Sequence, residues 1–387
     1  MDRVDPKVDE AIETLNMKDG PSRRKLLKGT GLVSATAAAS ALLAACSSSS
    51  SPASAAAKDT AGNFPKVPAW QFWFVNHVTT NTFFTPTQYG FADAAAILDI
   101  PVPKWTGSTN SVASQMVAQI NAAVSAKAAG IATTLINSSS FTTPVANAMS
   151  AGIPVLSYNA DGVVSKSGVP DIGCNRLAYV GQALFTSGQQ LGERIKSLTT
   201  PGEVAIFIET PGTANIQPRF DGANSILSPL GYKVAEITTT TVPATILANE
   251  KAYLLAHKSV KGAFAVDSTS TSFLAQALSE TGLSHLPNGG FDTVPQTLTN
   301  IKAGTTGFTI YQDPYLQGFL PTLYMYLYNI SGGTLVPSDT DTGLSFITKS
   351  NLTQYNVASR YQGSTTAQKY VPRPSGAISN PPATTST

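Results

Sequence analysis

The chain has little of what catalysis and metal binding usually draw on. Its 387 residues include three histidines and two cysteines. Cys46 and Cys174 allow at most one disulfide, which excludes a disulfide-stapled scaffold. No disulfide is expected, because Cys46 has other chemistry to do. Charged residues make up only 12% of the chain, and the net charge is +2. No basic run is longer than Arg23-Arg24-Lys25, so the chain lacks the footprint of a nucleic-acid binder. Beyond the leader there is no G-x-S-x-G, no H-E-x-x-H, no P-loop and no complete G-x-G-x-x-G. No metal and no cofactor are expected.

What is present is apolar residue at 42%, enough for two domains with well-buried cores. The first 46 residues read as an address. Ser22-Arg23-Arg24-Lys25-Leu26-Leu27-Lys28 resembles a twin-arginine export signal. The small-residue stretch from Gly29 to Ala45 is too weakly apolar for a membrane span. Leu43-Ala44-Ala45-Cys46 resembles a lipobox, in which the cysteine is lipidated and becomes the mature N-terminus. Residues 47–66 form a flexible tether rich in serine and alanine, and 364–387 form a low-complexity tail. An exported protein held at the outer face of the cytoplasmic membrane is the expectation.

Between these ends, apolar runs alternate with helical patterns. Strands are predicted at Trp70–Val75, Ile131–Ile136, Ile153–Tyr158, Leu177–Val180, Val204–Ile208, Lys233–Ile237, Ala263–Val266, Phe308–Tyr311 and Leu344–Thr348, with another ending at Gly290-Phe291-Asp292. Helices are predicted over Thr85–Leu98, within 111–129, and around Phe185–Leu198, Pro218–Leu227, Ile246–Ala256, Ser272–Thr281, Thr297–Lys302 and Tyr315–Ile330. This alternation predicts an α/β protein of two Rossmann-like lobes with parallel sheets covered on both faces. Ligands of such sheets sit at the carboxyl ends of strands. The polar residues there are Asn81, Asn137, Asn159, Asp161, Asp267, Asp292 and Gln312. A single Asp or Asn in that place commonly caps a helix, but seven point to a cleft that reads hydroxyl groups. Phe83 and Phe84 add aromatic faces, Trp105 is a third aromatic candidate, and His77 follows the first strand.

These residues resemble the sugar-binding proteins of bacterial ABC importers, the ribose- and galactose-binding type of periplasmic binding protein, over about residues 67–355. Asn81-Thr82-Phe83-Phe84 is similar to the family's Asn-Pro-Phe-Phe, with Thr82 in place of proline. Ala151-Gly152-Ile153-Pro154-Val155 matches its AGIPV, and Gly290-Phe291-Asp292 its GFD. Gly181-Gln182 and Gln312 fall at crossings between lobes, and Ala183 replaces an aspartate that many relatives carry. Arg219 stands where the family has a sugar-binding arginine, and Asp267 where it has Asn or Asp. The resemblance implies three crossings. One lobe then comprises 67–182 and 313–341, and the other 183–312 and 342–355.

A sugar offers vicinal hydroxyls above apolar C–H faces. Asp161, Asp267 and Asp292 are expected to accept hydroxyl protons, and Arg219 to donate through its fixed fork. Asn81, Asn137, Asn159, Gln182 and Gln312 would do both, while Phe83 and Phe84 stack. The expected ligand is a monosaccharide or sugar alcohol, the expected partner an ABC permease, and the expected state a monomer. Three rival readings exist. Asp267 and Asp292 could form a glycosidase pair, but binding without turnover explains both. Sugar-responsive repressors share this fold, but they need a helix-turn-helix where this chain has its export signal. A receptor feeding a sensor would use the same cleft.

Overall fold

The computed structural model of the chain describes residues 67–137, 139–162 and 175–355. The export signal, Cys46, the tether, Cys174 and the 364–387 tail lie outside them. The described residues all fall within one unit, Pro65–Thr387.

The strands form two six-stranded sheets. The first contains β1 (Phe72–Asn76), β2 (Lys104–Gly107), β3 (Gly130–Leu135), β4 (Val155–Asp161), β5 (Tyr179–Gly181) and β11 (Thr340–Asp341), in the order β11-β5-β4-β3-β1-β2. The second contains β6 (Glu203–Ile208), β7 (Lys233–Thr238), β8 (Ala263–Ala265), β9 (Asn288–Phe291), β10 (Phe308–Tyr311) and β12 (Ser345–Ile347), in the order β12-β10-β9-β8-β6-β7. The chain therefore passes between sheets three times, after β5, after β10 and after β11. This is the two-lobe architecture expected from the alternation of strand and helix.

Helices cover both sheets. Helices α1 (Thr85–Leu98), α2 (Ala113–Ser125), α3 (Thr142–Ser150) and α9 (Leu316–Ile330) belong to the first lobe. The second carries α4 (Leu184–Leu198), α5 (Gln217–Leu227), α6 (Pro243–Ala256), α7 (Ser268–Glu280) and α8 (Pro295–Ala303). Burial on both faces explains the near-continuous apolar strands: β3 and β9 are buried at every position. Phe72, Phe74, Leu156 and Tyr158 anchor one face of the first sheet, and Val75, Ile131, Leu135 and Val155 the other. In the second lobe Val204, Ile206 and Ile208 face one cluster while Ala205 and Phe207 face the opposite one. This is the period-two alternation of a strand between two layers.

Two helix pairs pack backbone against backbone. A Cβ on Gly318 would fall 1.9 Å from Thr87 O, and one on Gly90 2.1 Å from Tyr315 O, so α9 and α1 approach as only glycine allows. The second lobe repeats the device between α4 and α5: a Cβ on Gly188 would fall 2.1 Å from Arg219 O, and one on Gly222 2.2 Å from Phe185 O. That contact fixes the backbone from which Arg219 projects.

Three elements differ from expectation. Strand β2 was not foreseen, because Lys104-Trp105-Thr106-Gly107 is a half-exposed edge with neither an apolar run nor clean alternation. Strand β11 has two residues and carries no pattern of its own. Strand β12 runs antiparallel to β10, pairing Thr309 with Ile347 and Tyr311 with Ser345. It enters from the other lobe through residues 342–344, without the helical crossover that a parallel neighbour needs.

Candidate functional site

A cavity partly open to solvent lies between the lobes. The carboxyl ends of β1, β4, β6, β8, β9 and β10 deliver His77, Asn159, Glu209, Asp267, Asp292 and Gln312 to its wall. Loops add Asn81, Phe83 and Phe84 from one side and Asn215 from the other, and α5 adds Arg219. Of the predicted residues, Asn81, Phe83, Phe84, Asn159, Arg219, Asp267, Asp292 and Gln312 thus share one cavity.

Local geometry explains how each is aimed. Asn81 Oδ1 accepts the N–H of Phe83 at 2.9 Å and starts the short 3-10 turn that carries both phenylalanines. The two rings meet edge to face at 4.7 Å, and His77 meets Phe84 the same way at 5.4 Å. The register of β3 against β4 slips between Thr133 and Leu135, and Asn159 takes φ 62° beside it. Irregularities of this kind re-aim side chains next to sites. Asp292 also takes a left-handed conformation, φ 75°, just after β9. Asp and Asn tolerate it better than other non-glycine residues.

Arg219 is buried, stacks on Phe291 at 4.2 Å, and donates from Nη1 to Val266 O and from Nη2 to Gln182 Oε1. Its Nε has no partner. Burial lowers its pKa and the charge of Asp292 opposes that. Gln312 Nε2 donates to Asp292 Oδ1 at 2.6 Å. Burial raises the pKa of Asp292, while Arg219 and Gln312 pull it back. Asp267 caps α7: its Oδ1 accepts the N–H of Ser270 at 2.7 Å, and its Oδ2 accepts the N–H of Glu209 at 2.9 Å. Burial raises Asp267 as well, against those hydrogen bonds. Although the cavity gathers three carboxyl groups, no group of three or more His, Cys, Asp or Glu among the described residues could hold a metal ion.

Three predicted residues are not on the cavity wall. Asp161 is ion-paired to Arg176, which also reaches Asp339 at 2.7 Å, and it accepts from the Ser157 hydroxyl. Asn137 Oδ1 accepts the N–H of Ser140 at 2.8 Å, closing the turn before α3. Gln182 lies one layer back, bonded to Arg219 and, at 3.4 Å, to Gly343 O. It orients the arginine and does not face the cavity. Trp105 is not a cavity residue either: its Nε1 donates to Thr79 O, and its ring packs on Phe84 and Phe91. Conversely, Glu209, Asn215, Thr210, Ser111, Ile216 and Ser268 line the cavity without having been singled out. The strand-end rule that selects Asp267 after β8 selects Glu209 after β6 equally well.

The lobes touch across the cleft. Ala214 N–H donates to Ile136 O at 3.0 Å, and Asn215 Nδ2 lies 3.4 Å from His77 Nε2.

The Periplasmic binding protein domain family matches residues 72–332. The chain belongs to that family. It is 45% identical over 320 residues to the xylose/arabinose-binding protein XylF of Sulfolobus acidocaldarius, covering 80% of this chain and 78% of that one. A solute-binding protein of an ABC transporter from Burkholderia graminis, solved in complex with D-arabinose, superposes with a TM-score of 0.69 at 27% identity. It covers 76% of this chain and 99% of its own. A carbohydrate transporter protein from Acidothermus cellulolyticus, solved with myo-inositol, shares the fold at a TM-score of 0.66 and 22% identity, covering 77% of this chain and 100% of its own. The resemblance to sugar-binding proteins of ABC importers and the type I periplasmic binding fold are thereby established.

Proposed function

We propose that this chain captures a neutral monosaccharide, a pentose of the xylose or arabinose kind, between its lobes and delivers it unchanged to an ABC importer. The observation that carries this reading is a pair of unsatisfied polar atoms on the cavity wall. Arg219 Nε and Asn215 Oδ1 are buried with no hydrogen-bond partner. A buried polar atom left unpaired costs about 1–3 kcal/mol, so a ligand hydroxyl that reaches either atom gains by bonding to it. Asp292, Asn159 and Gln312 offer further acceptors and donors, and Phe83 and Phe84 the faces on which a sugar's C–H surface packs. The relatives named for xylose and arabinose support the pentose. The lipobox-like sequence ending at Cys46 supports anchorage by lipid outside the cytoplasmic membrane, with the tether carrying a monomeric binding unit to the permease.

The test is a thermal-shift screen of the purified chain with D-xylose, L- and D-arabinose, hexoses and myo-inositol, followed by product analysis. A ligand at 100 times its Kd adds about 2.7 kcal/mol of stability. A clear shift with a pentose, and sugar recovered intact, is the expected result. No shift with any neutral sugar or polyol, or conversion of the sugar, would overturn the reading.

A further inference from the structure

Glu209 is the third carboxyl group on the cavity wall, beside Asp267 and Asp292. It follows β6 directly and lines the cavity. Its backbone N–H donates to Asp267 Oδ2 at 2.9 Å, and its carboxyl lies against the side chains of Asp267 and Thr269. Two carboxyl groups in contact do not both ionise readily, because like charges at that range repel; one keeps a proton.

The neighbours decide which. Asp267 accepts from the N–H and the hydroxyl of Ser270 and from the N–H of Glu209, and each bond favours its ionised form. Glu209 has only the Thr269 hydroxyl to do the same. The other charges facing the pair give it little relief. Asp292 adds a further negative charge from the end of β9. Glu250, on α6, is within electrostatic reach of Asp267 and adds only repulsion if ionised. His77, from the facing lobe, is pushed down to about 4 by burial and is therefore neutral. Arg219 directs its bonded nitrogens at Val266 O and Gln182 Oε1.

We propose that Glu209 is a further binding residue of the sugar site: its carboxyl holds the one proton shared with Asp267, and the cavity binds a neutral sugar only while that proton is in place. This rests on the sugar-binding reading and deepens it. With the proton held between them, the pair carries a single negative charge, and its remaining carboxyl oxygens accept from sugar hydroxyls. Without it, three carboxylates face one arginine, and a wall rich in acceptors repels itself instead of gripping hydroxyls. Burial and the charge of Asp267 push Glu209 up to about 8, so the loss falls in mildly alkaline solution.

The experiment is calorimetric titration of the full chain with D-xylose and L-arabinose from pH 5 to 9.5, with the melting temperature recorded at each pH. The Kd of the wild type stays level in acid and rises by about tenfold per pH unit once Glu209 ionises, as linkage to one proton requires. In Glu209→Gln, whose amide cannot ionise, Kd changes less than twofold over pH 7 to 9.5. Wild-type titrations at pH 9 in two buffers of different ionisation enthalpy report about one proton taken up per sugar, which decides the matter even if the variant folds poorly. A wild-type Kd that stays level to pH 9.5 while the protein remains folded, an alkaline rise that persists in Glu209→Gln, or no proton uptake would each overturn the proposal. A wild type that binds neither pentose at any pH would instead remove the sugar reading itself, and this proposal with it.

Discussion

Asn159 and Gln312 meet across the cleft, with Nδ2 of the first donating to Oε1 of the second at 3.4 Å and to Gln317 Oε1 at 3.2 Å. Gln312 passes the line on to Asp292 Oδ1, and its backbone carbonyl accepts the Thr342 hydroxyl at 2.6 Å. One chain of hydrogen bonds thus runs from the end of β4, past two crossing segments, to the end of β9. It ties segments of the two sheets together and holds a cavity carboxylate in place. In Gln312→Ala the line is cut and Asp292 loses its donor. We expect pentose affinity to fall by about 1–3 kcal/mol, the cost of leaving buried polar groups unpaired, which is roughly 5- to 150-fold in Kd. Calorimetry on the folded variant reads this directly, and an unchanged Kd would show that the clasp plays no part in binding.

Arg219 is held by helix packing and by its bonds to Val266 and Gln182, yet its buried Nε has no hydrogen-bond partner. Arg219→Ala should abolish the pentose thermal shift while the ligand-free protein still melts cooperatively. Arg219→Lys should not restore it, because a single ammonium cannot reproduce a planar fork bonded in several directions. A shift of wild-type size in either variant would remove the arginine from the site.

Much of this was legible before any coordinates. The strands buried on both faces announce themselves as apolar runs, and the polar residues at their carboxyl ends mark the cavity wall. What the chain hides is which polar groups are already taken. Asp161 and Asp292 both follow apolar strands and look alike in sequence. Only the fold brings Arg176, across the link between β4 and β5, onto Asp161, and leaves Asp292 on the cavity wall with a hydrogen bond from Gln312 and the nearby charge of Arg219. Gln182 is similar: its place at a crossing is readable, but its position behind Arg219 is not. Edge strands such as Lys104–Gly107 escape because half of each residue faces solvent, so burial imposes no pattern.

The Asp161–Arg176–Asp339 cluster gives a prediction that separates structure from binding. It ties the end of β4 to the residue before β11, and Asp339 also accepts the N–H of Tyr179 at 2.8 Å. Asp161→Ala leaves a mostly buried arginine with only the more exposed of its two partners. Removing one member of a buried pair costs about 3 kcal/mol or more. Urea denaturation should show a loss of that order, while the pentose Kd stays within about threefold of wild type. A selective loss of affinity without loss of stability would return Asp161 to the binding site.

Glu250 offers the clearest dependence of stability on pH. It lies on α6, is fully buried, and has no hydrogen-bond partner on either carboxyl oxygen. Burial first, and the charge of Asp267 second, raise its pKa well above the usual carboxylate range. A raised folded pKa means that the folded chain keeps a proton which the unfolded chain, titrating at about 4.3, has released. The stabilisation is therefore complete below about pH 4 and declines as pH rises toward the folded pKa. Glu209, Asp267 and Asp292 slope the same way, so only the difference between wild type and a variant isolates Glu250. Glu250→Leu removes the proton linkage and the unpaired oxygens together. Its advantage over wild type in urea should be about 1–3 kcal/mol at pH 8 and should shrink toward pH 4.5, as the unfolded wild-type chain begins to take up the proton that folded Glu250 already holds. An advantage that stays constant between those two pH values would mean that the carboxyl does not titrate on unfolding, and that Glu250 meets a partner inside the fold.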